Sequence, residues 1–272
     1  MNNLTLHNGV QMPQLGLGVF QTGSGVRTEM AVRYALEAGY RSIDTASVYG
    51  NEREVGAAVK STGLPRKDIF ITGKVWNDQI RRGQTFESVE NTLWNLDTDY
   101  IDLMLLHWPV EGTREAWQAL EQLYESGTVR AIGVSNFQKH HIEAMREYAH
   151  IMPMFNQIES HPLMNNQKLI DWCHANGIAV GAWSPLGGPN VPLLQHPILL
   201  QLAEKYHRTP AQIVLRWDIQ RGIAVIPKSS HQDRIIENSR IFDFSIEFKD
   251  MELIQSLNMD YRVGPDPDNF NF

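Results

Sequence analysis

At 272 residues, 42% of them hydrophobic and 20% charged, the chain has material for a large core, and its composition excludes disorder, collagen-like repeats and coiled coil. A formal net charge of -7 offers no basic field to a polyanion, which sets aside a nucleic-acid role. The single cysteine, Cys173, excludes an internal disulfide and a Cys-rich metal site and suits a reducing compartment.

The length corresponds to about 1.8 nominal domains, so either two domains or one large α/β barrel fits it. The opening stretch LTLHNGVQM carries Asn8-Gly9, which predicts a β-hairpin with a type I′ turn plugging the bottom of a barrel. Eight short apolar runs follow, at residues 14–20, 41–46, 68–76, 100–108, 129–136, 154–160, 179–185 and 223–229. They are too apolar to have a wet face, as buried parallel strands are. Apolar residues recur at helical spacing between them, for example Met30, Val32, Ala35 and Leu36, then Val55, Ala58 and Val59, then Val89, Leu93 and Leu96. Eight such βα units in one chain predict an α/β fold of the (β/α)8 TIM-barrel type.

Extra helices are expected after the seventh and eighth strands. Residues 196–207 and 209–222 read as two helices, the second capped by Thr209 with Pro210 at its first position. Residues 231–242 and about 248–257 supply two more, and the closing 261–272 is aperiodic. No linker interrupts the chain, so residues 1–272 are expected to form one domain. The first twenty residues lack the basic and apolar regions of a leader and no 18-residue apolar run occurs, so the protein is expected to be soluble, cytoplasmic and without a membrane partner.

Three motifs fail on inspection. Gly16-x-Gly18 lacks the third glycine of a dinucleotide fingerprint. Gly133-Val134-Ser135-Asn136-Phe137 fails the nucleophile elbow at its last position. His140 and His141 are adjacent, and on a helix they point about 100° apart, so no metal site is expected.

Reacting groups of such a barrel sit at the C-terminal ends of its strands. Asp44 closes the second apolar run, Lys74 the third, His107 the fourth, Ser135 and Asn136 the fifth, Gln157 the sixth, Trp183 the seventh and Lys228 the eighth. Tyr49 follows Asp44 by five residues, close enough for its loop to fold over the same mouth. A lysine ammonium beside a phenol lowers the phenol's pKa, and a carboxylate keeps that lysine protonated. The tyrosine then serves as a general acid, while a histidine on the next strand donates to a carbonyl oxygen. Carbonyl reduction needs such a set together with a hydride source.

The strings Asp44-Thr45-Ala46-x-x-Tyr49-Gly50-Asn51-Glu52, Lys74-Val75-Trp76, Leu106-His107-Trp108-Pro109, Gly133-Val134-Ser135-Asn136-Phe137, Asn156-Gln157 and Ile226-Pro227-Lys228-Ser229 resemble the aldo-keto reductase family, in the right order from about residue 4 to the tail. The closing VGPDPDNF and the short loops look most like its 2,5-diketo-gluconate reductase branch. The resemblance implies a monomeric NADPH-dependent reductase of small aldehydes and ketones, such as 2,5-diketo-gluconate or methylglyoxal, with Asp44, Tyr49, Lys74 and His107 as its catalytic tetrad. It further implies that Ser135, Asn136 and Gln157 hold the nicotinamide carboxamide, that Trp183 stacks on the ring, and that Ser184, Pro185 and Leu186 continue the cofactor site. Two departures stand out. Gly73 occupies a position where the family usually has Ser or Thr, and Asp97-Thr98 replaces the usual Gly-Leu.

Charge gives a second, independent reading after the eighth strand. Lys228 leads to a helix N-terminus and Arg234 follows within a turn or two, which suits a 2′-phosphate and hence NADPH. The resemblance agrees and adds Ser229, Glu237 and Asn238. Phe20, Trp76 and Trp108, each just past a strand end, are the expected substrate walls, with the 261–272 tail a candidate cover. Lysines at barrel strand ends also serve Schiff-base lyases and aldolases, with Lys74 as the amine, and a non-catalytic nucleotide-sensing subunit would keep the same cofactor site.

Overall fold

Each of the eight apolar runs contains a strand. The computed structural model describes residues 2–272 apart from Ser24 and Pro189. A hairpin of β1 (Asn3–Thr5) and β2 (Gln11–Pro13) precedes an eight-stranded parallel sheet of β3 (Leu17–Gly18), β4 (Ser42–Asp44), β5 (Phe70–Val75), β6 (Leu103–Leu106), β7 (Ile132–Ser135), β8 (Phe155–Glu159), β9 (Ala179–Trp183) and β10 (Ala224–Ile226). Strand order follows chain order throughout. Parallel bridges Leu15↔Val225 and Gly18↔Lys228 join the two edges, so the sheet closes as a TIM-type barrel and has no free edge.

Strands β4 to β8 and β10 are buried along their whole length, because side chains fill the barrel on one face and pack under helices on the other. The helices are α1 (Val26–Glu37), α2 (Glu52–Ser61), α3 (Asn77–Arg81), α4 (Thr85–Leu96), α5 (Thr113–Glu125), α6 (Lys139–Met145), α7 (Gln167–Ala175), α8 (Pro197–Tyr206), α9 (Pro210–Gln220), α10 (Gln232–Ser239) and α11 (Phe248–Gln255). Both predicted helices between the seventh and eighth strands are present. Thr209 caps α9 by accepting the Gln212 N–H while the Gln212 side chain accepts the Thr209 N–H, a capping box. Among the described residues no helix is long and apolar enough to cross a membrane.

The hairpin turn is not of type I′. The Gly9 N–H bonds the Leu6 carbonyl, and only Gly9, at φ 89°, is left-handed while Asn8 is not. The turn therefore centres on His7 and Asn8, with Gly9 as the left-handed residue after it. Asn8 is used differently. Its Oδ1 accepts the Val10 N–H and its amide donates to the Arg130 carbonyl, tying the hairpin to the bottom of the barrel.

Both departures from the family pattern are accommodated locally. A side chain at Gly73 would meet Met104 Cε at 3.0 Å, so Met104 already fills that space. Asp97 ends α4 with φ 53° and pairs with Lys60. An Asp tolerates this left-handed position better than most residues.

Candidate active site

The C-terminal mouth of the barrel brings Asp44, Tyr49, Lys74 and His107 together. Asp44 ends β4 and Lys74 lies on the neighbouring β5. Lys74 is 1% exposed. Its Nζ donates to Asp44 Oδ1 at 2.5 Å, to the Thr45 carbonyl at 3.0 Å and to Tyr49 Oη at 3.5 Å. The second Asp44 oxygen accepts from Gln157 Nε2 at 2.7 Å across the barrel. Tyr49 ends a short 3-10 turn, Ser47–Tyr49, and that turn is fixed by its neighbours. Ser47 Oγ donates to the Lys74 carbonyl, Thr45 Oγ1 donates to Asn51 Oδ1, and the Asn51 amide donates to the Val19 carbonyl. Glu52 accepts from Thr92 and Asn95. Asn51 and Glu52 of the recognised string thus anchor the loop that carries the phenol.

Burial and charge set the protonation states. Burial pushes the Tyr49 phenol up, Lys74 pulls it down, Asp44 pushes it up again, and the outcome lies above its ordinary value of 10.0. The expectation of a lowered phenol is therefore corrected: desolvation outweighs the ammonium. Burial alone would lower Lys74, but the Asp44 charge and the Tyr49 hydroxyl hold it above its usual 10.5. Burial and then the Lys74 charge press His107 well below 6.5. The set at neutral pH is a protonated phenol, an ammonium and a neutral imidazole.

The neighbouring strands supply the residues expected around a nicotinamide. Ser135 Oγ donates to the Gln157 carbonyl at 3.0 Å. The Asn136 amide donates to the His107 carbonyl at 3.1 Å, and its Oδ1 accepts from Trp183 Nε1 at 2.7 Å. Asn136 and Ser184 both have left-handed backbones, at φ 64° and 48°. Trp183 is half-buried, as are Ser184 and Leu186, whereas Pro185 is buried. Past β10, Lys228 and Arg234 are exposed, and Arg234 lies in the first turn of α10, where helix N–H groups and cations both favour an anion. Ser229 Oγ accepts the His231 N–H and Asn238 is buried. The Glu237 carboxylate accepts from Thr209 Oγ1, which ties α10 to the start of α9.

The aromatic walls enclose this set. Phe20 lies 5.0 Å from the Tyr49 ring and Trp76 lies 5.0 Å edge-on to His107. The aperiodic tail completes the enclosure. Phe272 stacks parallel on Trp76 at 5.7 Å and meets Trp108 edge-on at 5.2 Å, and Phe270 packs on Trp108 at 4.9 Å. Asn77 and Arg81 donate to the Phe272 main-chain oxygen. The 261–272 tail that holds Phe270 and Phe272 is the expected cover, whereas nothing in the sequence pattern marks Asn77 or Arg81, because their contacts join segments about two hundred residues apart and have no period.

The expectation that His140 and His141 diverge is overturned. They lie at the start of α6, their rings are 4.0 Å apart, and Nε2 of each approaches Asp268 Oδ1, at 3.2 and 3.5 Å. However, His141 Nδ1 accepts the Gln138 N–H, so Nε2 carries the ring proton and faces Asp268 as a donor. That arrangement makes a polar latch on the tail, since a metal would need this nitrogen bare. Cys173 is buried and burial pushes its thiol up to about 11.

Residues 14–259 match the Aldo/keto reductase family. The chain is 47% identical over 272 residues to a glyoxal reductase of Bacillus subtilis, covering 100% of this chain and 98% of that one. It is 43% identical to the methylglyoxal reductase DkgA of Escherichia coli K12, covering 98% and 97%. The crystal structure of MGS-M4, an aldo-keto reductase enzyme from a deep-sea metagenome library, superposes with a TM-score of 0.96 at 42% identity, with each chain covered completely.

Proposed function

The chain belongs to the aldo/keto reductase family, a nicotinamide-dependent oxidoreductase that reduces carbonyl compounds, and on that premise we propose that it is an NADPH-dependent reductase of small aldehydes and ketones in which Tyr49 supplies the proton. The observation that carries this reading is the chain of contacts from Asp44 through Lys74 to Tyr49, at 2.5 and 3.5 Å, beside His107. The resemblance to glyoxal and methylglyoxal reductases supports two-carbon and three-carbon dicarbonyls as first substrates, and 2,5-diketo-gluconate remains the larger candidate. The unit is read as one domain, 1–272, acting as a cytoplasmic monomer.

Each residue has a definite task in this scheme. Neutral His107 donates a hydrogen bond to the carbonyl oxygen and aligns it with the Tyr49 hydroxyl. Tyr49 gives up its proton as negative charge develops on that oxygen, and the Lys74 ammonium stabilises the phenolate left behind. Asp44 holds Lys74 charged, which argues against a Schiff-base lyase, since an amine nucleophile must be neutral. Ser135, Asn136 and Gln157 would hold the nicotinamide carboxamide and Trp183 the ring, with Ser184, Pro185 and Leu186 lining the path towards Lys228, Ser229 and Arg234. The bound nicotinamide supplies the hydride.

Preference for NADPH rests on charge. Lys228 and Arg234 at the start of α10 would meet the 2′-phosphate, where NADH offers only a hydroxyl. The test is loss of NADPH absorbance with glyoxal, methylglyoxal and 2,5-diketo-gluconate, alongside dissociation constants for both cofactors. NADPH is expected to bind at least roughly tenfold more tightly than NADH, and Arg234→Ala to weaken NADPH alone. Equal binding of both cofactors by the wild type would refute the 2′-phosphate assignment. No turnover of any carbonyl would refute the catalytic one.

A further inference from the structure

We propose that Glu159 is a positioning residue of the carbonyl reaction: it clamps the main chain of Val263 and Gly264 against Trp183 and thereby holds the tail across the substrate mouth. The proposal rests on the reading of the mouth given above. Glu159 ends β8, two residues after Gln157 and directly opposite Trp183 of β9. The strand pleat therefore puts Gln157, Glu159 and Trp183 on one face. Glu159 is 2% exposed. Its Oε1 accepts the Val263 N–H at 2.6 Å and its Oε2 accepts the Gly264 N–H at 3.3 Å. The buried His161 reaches Oε1 through Nε2 at 3.0 Å.

A buried carboxylate is tolerated only when donors satisfy it. Two of these three donors come from a tail with no helix beyond Gln255. The clamp is therefore a point at which the barrel specifies the path of an otherwise irregular segment. Gly264 gives a second, independent sign of that path. A Cβ there would lie 2.3 Å from Trp183 Cη2, and the residue has no positive φ. Glycine stands at this position because Trp183 leaves no room, not because the backbone requires it. From this fixed point the chain runs on to Phe270 and Phe272, which cover Trp76 and Trp108. The segment that roofs the carbonyl site is thus tied to the ring proposed to carry the nicotinamide.

The experiment uses the full chain with NADPH and methylglyoxal, comparing wild type, Glu159→Gln, Gly264→Ala and the double variant by steady-state kinetics and amide hydrogen exchange. Glu159→Gln turns one acceptor into a donor facing an N–H, and Gly264→Ala forces the tail off Trp183 from the other side. Each is expected to speed exchange across residues 259–272 while barrel amides stay protected. Each should also raise the KM for methylglyoxal by roughly tenfold with kcat within about threefold, the loss expected for one charge-assisted hydrogen bond. The double variant should be little worse than either single one, because both release the same contact. Unchanged exchange at Val263 and Gly264 in Glu159→Gln overturns the clamp whatever the kinetics show. Faster exchange with an unaltered KM overturns the positioning role. If Glu159→Gln fails to fold, Gly264→Ala in the half-buried tail carries the test alone. If wild type reduces no carbonyl, it is the catalytic reading that fails, and exchange at Val263 and Gly264 still judges the clamp.

Discussion

Replacing Asp44 by Asn removes the charge that faces Lys74 and leaves the hydrogen-bonding shape almost intact. At the 2.5 Å separation of Lys74 Nζ and Asp44 Oδ1, the gross attraction at an effective dielectric near 20 is about 7 kcal/mol. Desolvation offsets part of it, and deleting one partner of a buried pair costs about 3–5 kcal/mol in practice. Lys74 avoids most of that cost by losing its proton, because burial, the largest influence on it, then acts without the opposing carboxylate. Its pKa must fall below the ordinary lysine value. A neutral Lys74 no longer stabilises the phenolate, so kcat with methylglyoxal and saturating NADPH should drop by roughly 10²- to 10³-fold. The sign of the pH dependence follows directly. The required form is the ammonium, which disappears as pH rises through the lowered pKa. Residual activity of Asp44→Asn should therefore fall with rising pH between about 6 and 9, a window in which wild-type Lys74, held above its ordinary value, keeps its charge. A variant with kcat within tenfold of wild type and a flat profile would refute the claim that Asp44 acts by holding Lys74 charged.

Tyr49→Phe should lower turnover by at least roughly 10²-fold while the NADPH dissociation constant, read by tryptophan fluorescence, moves less than about threefold. His107, pressed well below 6.5 by burial and Lys74, should show no ring titration by NMR between about pH 5 and 8, whereas an imidazole titrating near 6.5 would contradict its neutral role. Cys173, with its buried thiol pushed up to about 11, should resist a disulfide exchange reagent at pH 8 in the native state and react fully after denaturation; rapid native labelling would show that its helix opens.

The strands were legible because a doubly covered strand must be apolar along its length, and that is a local signal. The hairpin turn lies one residue away from the Asn-Gly expectation, and the Asn8 amide is held by the Arg130 carbonyl, a long-range bond that no dipeptide preference contains. The latch at His140 and His141 was missed for the same reason, since the geometry depends on Asp268 arriving from the tail. The positions of Asp44, Lys74 and His107 could be read because strand ends are fixed once the strands are. Glu159 could not be, although it sits two residues from Gln157, because its partners Val263 and Gly264 offer only backbone N–H groups, and a backbone donor leaves no mark on the residue type. The one trace was Gly264 itself, a glycine with an ordinary backbone whose missing side chain is explained only once Trp183 is seen beside it.

The phenol shows why charge reasoning from sequence carries a pairwise term correctly and can still reach the wrong net direction. Lys74 does pull Tyr49 down, as adjacency alone implies, but desolvation is a collective property of everything packed around the mouth and outweighs it. The same desolvation pushes the His107 imidazole towards neutrality and would push Lys74 there as well. Burial by itself would thus produce a site with a neutral phenol, a neutral imidazole and a neutral amine, two donors without the charge needed to receive a phenolate. Asp44 alters that outcome for Lys74, because its other oxygen is pinned by Gln157 from across the barrel and its carboxylate cannot turn away. The two proton donors are therefore products of burial, and the ammonium that makes one of them an effective acid is the product of a single carboxylate fixed between β5 and β8.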